Sequence, residues 1–486
     1  MDAELKQKYW RQVQVAMGIS QPKEDVKHVE VARFVAEQFR KELMYVPGIG
    51  WHKWDGKVWE SQPDDSLAFQ MLTDAAEFLL KHGPSAGTGI DWVLATAGKM
   101  KVNRERKYMV DEMMKLREFR VHVDELDAHP HLLTFQNGTV DLRTGELKEH
   151  DPADLLTQCA PVDYVPGAKA PRFMKFLDEV FPNEPELQEF FQTWLGMCIT
   201  GETRDHALGV WYGEHGRNGK GTTIRTMQAC FGKELIMDVE FTMYERGRGK
   251  GAHTEDIARM RKARMIVAQE GEQGAAMNTA LLKSHSGGDG IVTRHLHGRT
   301  FTFTPRFNLV LATNHLPEFA AGGAALWART YPILFGQSFA DRVDPELEPT
   351  IQGPEREGVA AWVVEGAKRY YQAKHIRSVT PLAVIAATEM HKEEVDPLKD
   401  LLGEIFEYED GALTPTREFN IALKQWRSDI GDNTNKYAPS AVKRHLLNSG
   451  KVAERRVNNR TVFDGIRLET PPTTPQVSPG QMGANA

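Results

Sequence analysis

Residues 207–226 read ALGVWYGEHGRNGKGTTIRT. A short apolar run, Leu208-Gly209-Val210-Trp211, opens into a glycine-rich segment that ends in Gly219-Lys220. A phosphate-binding loop has the pattern G-x-x-x-x-G-K-[ST] between a strand and a helix. Bare backbone N–H groups surround the phosphates and the lysine reaches the outer ones. Two positions depart from it. Glu214 stands where the first glycine belongs, and Gly221 stands where a hydroxyl would hold magnesium, with Thr222 one place later. Read alone, the stretch is equally a flexible glycine turn before a helix, so its neighbours must choose.

From about 205 to 340 the chain alternates apolar runs with helical stretches: LGVW, ARMIVA (263–268), FNLVLAT (307–313) and TYPILF (330–335). Continuous apolar runs of this kind suit strands buried on both faces, as in a parallel sheet with helical crossovers. A P-loop ATPase also needs a carboxylate to organise magnesium and water, and a polar sensor near the γ-phosphate. Gln269-Glu270 closes the second run, and Asn314 follows the third. Loop, acid and asparagine, each closing an apolar strand and in that order, favour ATP binding over the glycine turn.

Between acid and asparagine lies LLKSHSGGDGIVTRHLHGRTFTFTP. Its alternating segments IVTRHL and TFTFT flank His297-Gly298-Arg299, which reads as a hairpin. An ordinary surface hairpin has this pattern too. Lys283, Arg294, His295, His297 and Arg299 would, however, set positive charge against a nucleic-acid backbone.

These motifs resemble the superfamily 3 helicases of phages and plasmids, the branch shared with poxvirus primase-helicases. The resemblance rests on GRNGKGT, KARMIVAQE, the hairpin segment running on to FNLVLATNHLP, and ALWARTYPILF. Many members of that branch also read G-K-G-T, which makes Thr222 the candidate magnesium hydroxyl beside Glu270. The resemblance implies nucleotide contacts from Gly216, Asn218, Gly219, Lys220, Gly221, Thr222 and Thr223, a γ-phosphate sensor at Asn314 and an arginine finger. Ala328 replaces the first of two arginines often found there, leaving Arg329.

The resemblance extends over roughly 130 to 470. LLTFQNGTVDLRTGELKEHDPADLLTQ is similar to the domain that precedes the ATPase, and 396–470 to a winged-helix module. In that module APSAVKRHLLNSG reads as a helix bearing Lys443 and Arg444. KVAERRVNNRTVFDGIRL follows as two strands about Asn458-Asn459, with Arg455, Arg456 and Arg460 as further phosphate contacts. The first 120 residues are too short for the primase domain of some relatives. They carry GIGWHKWDGKVWE, a hairpin about Asp55-Gly56 whose Trp51, Trp54 and Trp59 fit a small-sheet core better than base stacking. Leu187, Phe190, Phe191, Trp194 and Met197 recur at helical spacing.

Bulk properties narrow the class. With 41% hydrophobic and 26% charged residues and no run of 18 apolar residues, the chain is expected to be globular and cytoplasmic, in a bacterial host if phage-encoded. Cys159, Cys198 and Cys230 form no C-x-x-C pair, which argues against a zinc ribbon and for free thiols. A net charge of −7 does not announce nucleic-acid binding, so DNA contact must be local.

The expected chain is α/β, with a P-loop AAA+-type helicase core at 205–345. Around it lie an N-terminal region of unassigned role (1–125), a helical collar-like domain (126–204), a helical lid (346–395), a winged-helix-like domain (396–470) and a disordered tail (471–486). The expected activity is that of an ATP- and Mg2+-dependent replicative DNA helicase of a phage or mobile element. It would assemble as a ring, a hexamer in the resembling family's manner, on single-stranded and forked DNA, with a primase or other replication proteins as partners and no membrane. The alternative is an ATP-switched initiator that binds origin DNA without unwinding it. A small-molecule kinase would share the loop but leave the hairpin and C-terminal module without purpose.

Overall fold

The apolar runs are strands because each is buried on both faces, where only a fully hydrogen-bonded sheet satisfies the backbone. The computed structural model describes residues 27–82, 90–214, 216–246, 254–269, 277–294, 300–317, 319, 324–394, 397–432 and 437–469. The four runs form β1 (Leu208–Tyr212), β3 (Met265–Gln269), β4 (Asn308–Ala312) and β5 (Thr330–Leu334). The sequence did not disclose β2 (Ile236–Glu240), whose outer half is exposed and breaks the apolar run. The five strands lie parallel in the order β5-β1-β4-β3-β2.

That order positions the site. From β1 the chain crosses to β2 at one edge, steps inward through β3 and β4, then passes beyond β1 to β5. The direction of travel reverses beside β1, and ligands of open α/β sheets sit at such reversals, outside the carboxyl ends of the strands. The glycine-rich segment leaves the carboxyl end of β1 there.

Helices α1 (Pro171–Val180) and α2 (Pro185–Ile199) precede the sheet. Next come α3 (Lys220–Phe231) after the glycine segment and α4 (Thr279–Gly287) after β3. After β5 follow α5 (Leu347–Gln352) and α6 (Arg356–Ala373). The helical spacing read at Leu187 to Met197 is α2, with all five residues buried. α2 and α6 touch backbone to backbone: a Cβ on Gly196 would lie 2.1 Å from Ala367 N, and one on Gly366 2.0 Å from Gln192 O. That contact brings Trp194 and Phe191 of α2 onto the sheet, with ring centroids 5.3 Å from Tyr331 and Trp211 respectively. One apolar core therefore runs from Leu133 to Val384, shared by the sheet and the segment before it.

Toward the N-terminus, helices His28–Phe39, Ser66–His82, Ile90–Lys99 and Asn103–Met113 accompany a three-stranded sheet, Leu43–Val46, Gly50–Trp54 and Trp59–Ser61. Its second turn is the expected one at Asp55-Gly56, where Asp55 Oδ1 accepts from the N–H groups of Lys57 and Val58 at 2.7 Å. Trp51 and Trp59 are buried, and Trp54 packs on Trp59, as core residues rather than a stacking platform. A second three-stranded sheet covers 132–148, with turns at Gln136-Asn137, just before Gly138, and at Thr144-Gly145. Arg264, buried at the foot of β3, donates to the carbonyls of Pro130 and Leu132, which ties this region to the parallel sheet.

The hairpin between α4 and β4 pairs Ile291–Arg294 with Thr300–Phe303, antiparallel. Its expected tip, with His295, His297 and Arg299, lies outside the described residues. Toward the C-terminus, Pro397–Leu401 leads into β6 (Phe406–Pro415), α7 (Thr416–Asp429), α8 (Pro439–Asn448), β7 (Ala453–Val457) and β8 (Arg460–Leu468). The sheet order is β6-β8-β7, over a separate core that includes Phe406, Phe419, Leu446 and Phe463. Asn458 and Asn459 both take left-handed φ, 46° and 64°, in the β7–β8 turn. Cys159, Cys198 and Cys230 are free, the last two buried. Among the described residues no helix is long and apolar enough to cross a membrane. Residues 471–486, read as a disordered tail, lie outside the described residues.

Candidate nucleotide site

The segment between β1 and α3 is held by close approaches that only glycine permits. A Cβ on Gly213 would lie 2.3 Å from Phe335 O, because the chain leaving β1 runs against the end of β5. Gly213 thus meets the need for a bare residue one place before the usual position, and Glu214 beside it is exposed. Gly219 has φ 95°, and a Cβ there would lie 2.9 Å from Val180 Cγ2. Arg217 takes φ 56° without being glycine, a strained conformation fixed by the bond from Phe339 N to its carbonyl at 2.9 Å.

Lys220 opens α3 and is only 9% exposed. Its Nζ lies 3.4 Å from Gly213 O and 3.5 Å from Asn314 Oδ1, both long contacts. Burial pushes its ammonium down to about 8. Among the described residues its contacts are long and to neutral oxygens, and a cation so withdrawn from water is a receptor for an anion. Asn314 follows the neighbouring strand β4, so the sheet brings the expected sensor to the expected lysine. Glu270 directly follows β3 in sequence but lies outside the described residues.

The remaining loop residues divide. Asn218 is buried with Nδ2 3.4 Å from Gly213 O, and Gly216 is exposed. Thr223 donates to Gly219 O at 3.0 Å within its own helix. Thr222 donates to Glu348 Oε1 at 2.9 Å, and Arg225 grips the same carboxylate, Nε to Oε2 at 2.9 Å and Nη2 to Oε1. The Arg225 guanidinium, with help from Thr222, holds Glu348 below the usual carboxylate range against the opposing effect of burial. Thr222 thus faces α5, about 100° round the helix from position 221, where the usual loop carries its metal hydroxyl. Beside it is a cleft of about 880 Å³ whose lining includes Phe176, Phe339, Leu347, Arg217, Arg225 and Arg342. Sequence reasoning missed Arg225 and Glu348. Arg225 is one turn beyond Gly221, but its carboxylate partner is 123 residues away and left no local signal.

Arg329 stands apart from this group. Its carbonyl accepts from Leu208 N at 2.8 Å, at the start of β1, and its Nη1 is 3.5 Å from Ser286 Oγ of α4. Lys220 lies past the other end of β1, so a five-residue strand of about 16 Å separates the two levels. Lys283 on α4 is half-buried, and Arg294 is exposed on the hairpin. In the C-terminal module Lys443 pairs with Glu454 at 2.6 Å, while Arg444 and Arg460 are exposed.

Comparison with known proteins adds an independent line. The family described as D5 N terminal like matches residues 32–182. The chain carries a D5-like region. That region begins well before the motifs from which the resemblance was read, and takes in most of the N-terminal part left without a role. The chain is 26% identical over 219 residues to a protein named "putative helicase" of Acanthamoeba polyphaga mimivirus, covering 44% of this chain and 22% of that one. It is 27% identical over 235 residues to a likewise named protein of Invertebrate iridescent virus 3, covering 46% and 25%. A third, of Frog virus 3, is 23% identical over 451 residues, covering 76% and 45%. The matches thus span less than half the length of these relatives. They bear out the resemblance to the D5-like primase-helicase branch. Among solved structures, the apo C-terminal region of NrS-1 is similar over 63% of this chain and 77% of that one, at 10% identity and a TM-score of 0.37.

Proposed function

We propose that the chain is an ATP-hydrolysing replicative DNA helicase that works as a ring on single-stranded DNA. The observation that carries this is the placement of Lys220, buried at the carboxyl end of β1 with Asn314 of the adjoining strand against it. The strand order β5-β1-β4-β3-β2 supports an AAA+-type core. The order helix, β6, α7, α8, β7, β8 supports a winged-helix reading of the C-terminal module, with α8 as recognition helix and the Asn458-Asn459 turn as wing.

Roles follow from charge and place. Lys220 neutralises the β- and γ-phosphates, and Asn314 hydrogen-bonds the γ-phosphate. Magnesium, when bound, screens the phosphate charge and polarises the γ-phosphoryl group. Glu270 is our candidate for holding it, since Thr222 is turned toward Glu348 on α5. Arg329 is too far from its own Lys220 and completes the site of a neighbouring copy. Lys283, Arg294, His295, His297 and Arg299 would carry the strand through the ring, and Lys443, Arg444 and Arg460 would hold duplex or forked DNA. A primase or other replication protein as partner is part of the proposal through the resemblance of the motifs to primase-helicases.

Strand displacement on a forked substrate tests the reading. ATP-dependent unwinding that disappears in Lys220→Ala supports a helicase. DNA binding with ATP binding and no unwinding favours the origin-binding initiator, and ATP turnover indifferent to DNA would remove both.

A further inference from the structure

Position 221 is where the usual phosphate loop carries its metal-binding hydroxyl. Here the space above the bare backbone is taken by Arg225 from the next turn: a Cβ on Gly221 would lie 3.0 Å from Arg225 Nη1. The guanidinium is fixed there. Its Nε and Nη2 are engaged by Glu348, which also accepts from Thr222 at 2.9 Å and from Gln352 Nε2 at 3.3 Å. With four donors the carboxylate is saturated, and the geometry turns Nη1 toward the first turn of α3. That turn offers backbone N–H groups and the positive end of the helix to an anion. Lys220 serves the loop side of the same turn, whereas Arg225 and Thr222 line the cleft with Phe176, Phe339 and Leu347. A nucleotide with its outer phosphates at Lys220 and its nucleoside in the partly apolar cleft must pass its α-phosphate across Gly221.

We propose that Arg225 binds the α-phosphate of the nucleotide, that Glu348 is the positioning residue that aims it, and that position 221 is glycine to make room for it. The assignment rests on the reading that ATP binds at Lys220. It also explains the departure of this loop from the usual pattern. The group at 221 is a guanidinium borrowed from 225 in place of a hydroxyl, and Thr222 belongs to the carboxylate cluster that holds it.

The test is equilibrium binding of ADP and of ATP to the full chain, with EDTA present so that magnesium plays no part. Lys220→Ala should weaken ATP more than ADP. Arg225→Gln should weaken both nucleotides by the same factor, about tenfold for one charge-assisted bond lost. Arg225→Lys, which keeps the charge, should recover part of that loss. Glu348→Gln should weaken both nucleotides less than Arg225→Gln does. Gly221→Ser, which restores the usual pattern, should lower ADP affinity because its side chain displaces the guanidinium. Unchanged ADP affinity in Arg225→Gln and Glu348→Gln with a lowered melting temperature would overturn the proposal, leaving the pair as a pin between α3 and α5. A loss confined to ATP in Arg225→Gln would overturn it too. If wild type binds neither nucleotide, or Lys220→Ala binds both as tightly as wild type, the ATP reading itself falls.

Discussion

The glycine-rich loop after β1 and the C-terminal module both present basic side chains, but by opposite means. At the loop, Lys220 is buried and its contacts to Gly213 and Asn314 are long and neutral. In the module the cations lie at the surface and several already have carboxylates: Lys443 with Glu454, Arg455 with Asp464 at 2.9 Å, Arg467 with Glu409 at 2.6 Å. A buried ammonium is costly unless an anion arrives, so an anion bound at Lys220 should be held with large energy. Surface cations in water contribute little apiece and are screened by salt, so DNA held by the module would gain affinity additively and with little regard to sequence. One region should therefore fail outright on a single substitution, and the other only gradually.

The largest expected effect sits at Arg329. Arg329→Ala should cut turnover by about 10³-fold or more, the range for an arginine finger, while ATP binding persists. A loss of binding instead would return Arg329 to its own chain's fold through Ser286. Next is Lys220→Ala, expected to lower turnover by about 10²-fold or more together with ATP affinity. The pH profile sharpens the same point. The free Lys220 amine loses its proton near pH 8, and only the protonated form attracts phosphate. ATP affinity should be level below that pH and fall above it, by about tenfold per unit until the proton is lost from the complex as well. Lys220→Arg, charged throughout, should flatten the curve.

Gly219→Ala comes third. It forces a Cβ into left-handed backbone and against Val180, and should cost about 1–3 kcal/mol of stability, read as a lowered melting temperature. The smallest effect belongs to the module. Arg460→Ala should weaken DNA binding only a few-fold and reduce the salt slope by about one. A loss as large as that at Lys220 would erase the contrast between the two regions.

What the sequence disclosed follows the same physics. Strands buried on both faces announce themselves as unbroken apolar runs, so β1, β3, β4 and β5 were legible. β2 was not, because Asp238 and Glu240 in its outer half interrupt the run. Turns that need left-handed backbone were legible from Asp55-Gly56, Thr144-Gly145 and Asn458-Asn459. Lys220 and Asn314 could be paired from their positions after adjacent strands. The replacement of the first loop glycine by Gly213 depended on the end of β5, and the Arg225–Glu348 pair on a helix 123 residues away. Close approaches between distant segments leave no periodicity to read.

The central claim is that each nucleotide is closed upon by Lys220 of one copy and Arg329 of the next. Mixing two inactive variants, Lys220→Ala and Arg329→Ala, tests it most directly. Mixed assemblies contain junctions where an intact lysine meets an intact arginine, so DNA-stimulated ATP hydrolysis should return in the mixture and rise with protein concentration. Activity absent at every ratio and concentration, or Arg329→Ala hydrolysing ATP at the wild-type rate when dilute, would contradict it.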